Sequence, residues 1–186
     1  MTMDHWPVLA DSEREQWGYS PRQTVGPLGF GTDRQDAVAT MEEHGFTAKE
    51  TAIDRWNPQR AQWRVEFRRT ASDERRPAVK CYFVEGVGLT SVLVDGLRGP
   101  QVTFRGVRLI GRVPSELSAE MEARALERGE GIWFSLSGDL SWPGLDFDRG
   151  AQRAGDTAVS WAVFFRTGEI AGSSWDINPA EVWSHW

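Results

Sequence analysis

The side chains in this chain that could do chemistry are few and scattered. Three histidines, His5, His44 and His185, stand far apart, and the one cysteine is Cys81. A zinc centre needs several such ligands at short, regular spacings, so the sequence predicts no metal site. Cys81 alternates with Val79 and Phe83 on the apolar side of an extended run. A thiol so placed reads as a buried, inert side chain, and no Gly-x-Ser-x-Gly elbow offers a serine nucleophile. Asp146 and Asp148, two apart on a strand, would point to one face. Such a pair can share acid–base work, and it is equally the solvated side of an ordinary strand. Gly26, Gly29 and Gly31 precede a helix and superficially suggest an anion loop. No strong strand leads into them and no Gly-Lys-Ser/Thr follows, so they read as backbone geometry at a helix entry. The expectation is a protein with no catalytic residue, no metal and no cofactor.

The elements that must position these residues come in two copies. When the chain is shifted by 80 residues without gaps, Gly26 meets Gly106, Gly31 meets Gly111 and Met41-Glu42 meets Met121-Glu122. Phe67 meets Phe147, Ala78-Val79 meets Ala158-Val159, and 12 of the 63 positions from 26 to 88 are identical. Average residue usage would give roughly 4, so the excess predicts a tandem duplication. Each half opens on a Gly-rich entry and continues into a helix. In the first, Asp33 is the expected cap, Ala37, Val38 and Met41 share a face, and Gly45 is the stop. In the second, Pro114 suits the first turn, Leu117, Met121 and Ala125 line the stripe, and Gly129 ends it. Strands follow at Trp63–Arg68, Val79–Val84 and Leu89–Val94, then at Ile132–Leu136, Leu145–Asp148 and Val159–Phe165. Ser72–Pro77 and Gln152–Asp156 read as hairpin loops, and Gly96–Pro100 as the linker between halves. The organisation expected is an N-terminal segment 1–20, a first repeat 21–97, a second repeat 103–172 and a Trp-rich tail 173–186. The fold class is α+β, with two tandem helix-plus-antiparallel-sheet repeats forming two lobes. The sequence leaves open whether they join in one continuous curved sheet.

The run Leu28-Gly-Phe-Gly31, a helix carrying Ala37-Val38 and the antiparallel strands after it resemble the repeat unit of the β-lactamase inhibitor protein family. The resemblance implies helices backing a curved sheet whose open face grips another protein. It also implies a binding role, such as an intracellular inhibitor or an immunity protein. Thr32 stands where that family has Met, and this chain has one cysteine whereas the inhibitor it resembles is disulfide-bonded. The resemblance therefore does not extend to β-lactamase inhibition.

A net charge of −6 argues against nucleic acid, which calls for a basic patch and a high pI. Negative charge keeps a protein soluble and can speed encounter with a basic partner. One cysteine allows no internal disulfide and suits a reducing compartment. Residues 1–17 contain no apolar core of a signal peptide, and no stretch approaches a membrane span. The expected location is cytoplasmic, with no membrane partner. If the apolar strand sides pack on the helices, the open side presents Arg64, Glu66, Arg68, Lys80 and Tyr82 in the first half. In the second half it presents Asp146, Asp148, Phe164 and Arg166. Trp175 and Trp183 in the tail are further candidate anchors, Trp being favoured at interfaces. These residues form the expected partner-binding set of a non-enzymatic protein-binding module. Two other functions fit the sequence: a small-ligand-binding protein or enzyme with an inter-lobe pocket, and a structural protein that self-associates through its Trp-rich tail.

Overall fold

The structure is a computed structural model that describes residues 8–53, 61–69, 77–134, 140–141 and 146–166. After a single 3-10 turn at Asp11–Glu13, three short strands lead to the first helix: β1 (Gln16–Ser20), β2 (Thr24–Val25), β3 (Leu28–Gly29) and α1 (Arg34–Glu43). Four strands follow: β4 (Thr47–Ile53), β5 (Gln62–Arg68), β6 (Val79–Val84) and β7 (Gly88–Val94). The second half runs β8 (Gln101–Phe104), β9 (Val107–Arg108), α2 (Pro114–Glu127), β10 (Trp133–Phe134), β11 (Leu140–Ser141), β12 (Phe147–Ala154) and β13 (Thr157–Phe165). The class is α+β, as the alternation of periods predicts. The hairpin loop placed at Ser72–Pro77 lies, apart from Pro77, outside the described residues. The one placed at Gln152–Asp156 is narrower than expected, because Gln152–Ala154 belong to β12.

Strands of both halves form a six-stranded antiparallel sheet in the order β12-β13-β7-β6-β5-β4. A smaller sheet, β3-β2-β1-β8-β9, contains one parallel pair, β1 with β8. One side of the large sheet supplies Val65, Phe67, Val79, Cys81, Phe83, Val92, Val94, Ala162 and Phe164 to the core. Against them pack Ala37 and Met41 of α1, Leu117, Met121 and Ala125 of α2, and Trp17, Tyr19, Val102 and Phe104 of the small sheet. Removing this apolar surface from water is the main force holding the layers together. The stripes read from both helices therefore bury into a single cluster. The expectation of two lobes is corrected to one body around one shared core.

Both helices begin where the shift of 80 places them. Asp33 stands at the N-cap of α1, but its side chain makes no cap hydrogen bond. The strands obey a different correspondence. Gly31 donates to the Leu89 carbonyl and Leu89 to Thr32, while Gly111 donates to Ser160 and Ser160 to Arg112. The segment entering each helix thus pairs with β7 in one half and β13 in the other. These two strands also pair with each other, Val94 opposite Ala162 and Val92 opposite Phe164. The ungapped shift instead sets β6 against β13.

A buried cation ties down the junction between halves. Arg14 is 6% exposed. Its guanidinium donates to the carbonyls of Gly99 at 2.5 Å, Gly96 at 2.8 Å, Leu97 at 3.1 Å and Leu9 at 3.2 Å. Asp95 beside it accepts from the amides of Leu97 and Arg98 and from the Gln152 side chain. Burial lowers the Arg14 pKa, and Asp95, Asp11 and Glu13 oppose that shift.

Candidate functional site

Strand geometry groups the predicted partner-binding residues only in part. Arg64, Glu66 and Arg68 share the second face of the large sheet, away from both helices, at the spacing of two that a pleat requires. Glu66 Oε1 lies 3.3 Å from Arg64 Nε, and its Oε2 lies 2.5 Å from Arg68 Nη2. Lys80 stands directly opposite Glu66, and Tyr82 opposite Arg64. Around Tyr82 and Glu66 this face is closed to solvent, which corrects the expectation of an open face there. Tyr82 is 1% exposed and forms a second apolar cluster with Leu93, Trp161, Val163 and Phe165. Glu66 is buried as well. The charged group is therefore a half-buried ion cluster beside an apolar strip.

The second-half assignments change more. Phe164 points to the opposite side, fully buried in the main core, with its ring 4.6 Å from Tyr19 and 5.5 Å from Phe147. The residues of β13 on the second face are Trp161, Val163 and Phe165. Nearly every position of this strand is apolar, so its sequence offers no contrast from which to read the two sides. Asp146 precedes β12 rather than sitting in it. Its carbonyl accepts the Tyr19 hydroxyl at 3.1 Å and its Oδ2 is 2.6 Å from Arg22 Nε. Asp148 is exposed on the second face, opposite Val163. The Asp146 carboxylate is thus paired with Arg22 ahead of β12, and Asp148 lies within the strand. Arg166 is also turned from the second face, donating to the Val87 carbonyl at 2.8 Å and packing on Gly31. Trp175 and Trp183 lie outside the described residues.

Of the other chemical candidates, His5 and His185 lie outside the described residues. Cys81 is fully buried, and burial pushes its thiol well above the ordinary range. His44 Nδ1 lies 2.6 Å from the Glu15 carboxylate, which also pairs with Arg69. Among the described residues no three His, Cys, Asp or Glu side chains are grouped to hold a metal. The glycine run spends its amides internally. Gly26 donates to Gly18, Phe30 to Gln23, Gly31 to Leu89 and Thr32 to Gly29. A phosphate would find those donors taken.

The tertiary structure adds a site that the sequence does not reveal. A groove of about 550 Å³ opens between the start of α1, the start of β5 and the β6–β7 turn. Trp63, Phe83, Val84 and Val87 supply its apolar lining, and Asp33, Arg34 and Glu85 its charge. The Arg34 guanidinium stacks 3.8 Å from the centre of the Trp63 ring and reaches Glu50 at 2.5 Å. One carboxylate and one ring thus fix the cation in place, while Asp33 and Glu85 are exposed at the rim. Gly31 and Gly88, both at φ +82, let two backbone segments meet under the groove. A Cβ on Gly88 would come within 2.3 Å of the Gly31 carbonyl oxygen. Arg34 and Trp63 are distant in sequence, and only packing of α1 on the sheet brings them together.

Comparison with protein-family models, with curated proteins and with solved structures found no match to this chain. Among the described residues no helix is long and apolar enough to cross a membrane.

Proposed function

We propose that this protein is a non-enzymatic binding protein that receives a segment of another polypeptide in the groove beside α1. The observation that carries this reading is the Arg34–Trp63 stack, held by Glu50 at the wall of a concave, partly apolar surface. Trp and Arg are the residue types most enriched at the energetic centres of protein interfaces. Their preorganised stacking lowers the ordering cost a partner must overcome. The acidic rim of Asp33 and Glu85, on a chain of net charge −6, favours a partner segment carrying Lys or Arg. An inhibitor or immunity role is the form of this function that the sequence resemblance suggests. The bound polypeptide would then be an enzyme or toxin whose activity is blocked.

The groove also falls within the size range of small-molecule pockets, so the test separates the two ligand classes. Tagged protein is used to capture a partner from its native lysate, and the captured material is titrated against wild type, Trp63→Ala and Glu85→Arg. A stoichiometric polypeptide whose binding weakens by about 2 kcal/mol in Trp63→Ala, roughly thirtyfold in Kd, supports the reading. Equal binding by all three proteins removes the groove as the site. A low-mass ligand seen by native mass spectrometry in wild type alone would favour the small-ligand function.

A further inference from the structure

The second face of the six-stranded sheet carries an apolar strip of Tyr82, Leu93, Trp161, Val163 and Phe165. The buried residues of both helices and of the small sheet belong to the core on the other side. Among the described residues Ile53, from β4 in the same sheet, is the partly buried hydrophobic side chain packed against this strip, and the Trp161 ring lies against Gly150 of β12. Two buried polar atoms lie alongside it, Gln62 Oε1 and Ser91 Oγ, and neither has a hydrogen-bond partner among the described residues. Leaving such a group unsatisfied costs about 1–3 kcal/mol. The rim beyond the strip is cationic, with Arg64, Arg68 and Lys80 around Glu66.

We propose that residues 173–186 of this chain dock on that face. In this arrangement Trp175 and Trp183 cover the apolar strip, and Asp176 and Glu181 face the Arg64, Arg68 and Lys80 rim. Three features support this occupant. First, the chain leaves β13 at the right place. Phe165 lies opposite Ser91, Ser91 opposite Tyr82 and Tyr82 opposite Arg64, so one row of the sheet runs from the end of β13 to the cationic rim. That row spans three strand spacings, about 14 Å at ~4.8 Å each. The residues between Arg166 and Trp175 can reach about 26 Å when extended. Second, the charges complement each other. Residues 167–186 contain Glu169, Asp176 and Glu181 and no Lys or Arg. Third, the side chains fit the polar atoms. An indole N–H is a donor only, which is what Gln62 Oε1 lacks.

The test uses the full-length chain with a nitroxide on Ser184→Cys, Cys81 being too buried to label. Methyl spectra are then recorded with the label oxidised and reduced. Docking predicts that the Leu93 and Val163 methyl signals lose most of their intensity while those of Leu28, on the opposite side, keep theirs. A mixed sample, with the nitroxide on unlabelled chains and the methyl probes on others, identifies a second copy as the occupant. Attenuation in that mixture equal to that in the single-chain sample would overturn the proposal. So would unattenuated Leu93 and Val163, which would leave another segment or a separate partner to cover the face. The proposal does not depend on the groove and survives its failure.

Discussion

Phe164→Ala tests the placement of β13 most directly. An exposed partner-facing ring and a core ring differ in cost by an order of magnitude. Phe164 has no exposure and lies against Tyr19 and Phe147 at 4.6 and 5.5 Å between ring centres. Truncating a buried Phe costs about 3–5 kcal/mol, and the cost rises when neighbours cannot collapse into the space. Tyr19 cannot collapse easily, because its hydroxyl is bound to the Asp146 carbonyl at 3.1 Å. The expected loss is therefore about 4 kcal/mol, near the middle of that range. Urea unfolding followed by circular dichroism and tryptophan fluorescence would read it. At a slope of about 2 kcal/mol per molar, the midpoint falls by about 2 M. Calorimetry should show Tm lower by about 8–16 °C. Asp148→Ala, exposed on the other face, should change stability by less than about 0.5 kcal/mol. A loss below about 1 kcal/mol for Phe164→Ala with an unchanged slope would refute the assignment of this ring to the core.

Two further outcomes follow from buried and partly buried charge. Arg14→Met should destabilise by about 3–5 kcal/mol, because it strips four carbonyls and Asp95 of a buried cation. Arg112→Met, at the more exposed pair with Glu120, should cost at most about 1 kcal/mol, and equal costs would mean that Arg14 does not hold the junction. The Glu15 carboxylate is pushed upward by burial and pulled down more strongly by Trp17, His44 and Arg69, so its folded pKa lies below its ordinary value. A depressed carboxylate pKa stabilises the fold above the unfolded value, and that stability is lost as pH falls through the folded value. Glu15→Gln should therefore be less stable than wild type at neutral pH and converge with it in strong acid, as followed by denaturant midpoints across pH. A gap that stays constant on acidification contradicts this account.

Much of the architecture is legible in the sequence because its signals are local. Side chains alternate across a strand and recur every three to four residues on a helix. That is why Val65 and Phe67, Val79 and Cys81, and the stripe Leu117, Met121 and Ala125 can be assigned to a core from spacing alone. The grouping of Arg64, Glu66, Arg68, Lys80 and Tyr82 on one face holds for the same reason. Weaker local signals carry less contrast. Trp17 and Tyr19 alternate with exposed Gln16, Gly18 and Ser20 in β1, inside the N-terminal segment 1–20. The edge strand β4 is largely exposed and carries no apolar run.

The sequence by itself determined the α+β class, the two helices with their buried stripes and the central strands, because covalent geometry sets those periods residue by residue. Only the tertiary structure decided that the two halves share one core, that β1 lies parallel to β8, and that β7 meets β13. It alone turned Phe164 inward and brought Arg34 onto Trp63. The physical reason is that alternation defines two faces of a strand but does not say which is covered. Coverage and pairing depend on contacts between residues far apart in the chain, and those contacts exist only once the sheet and helices have packed.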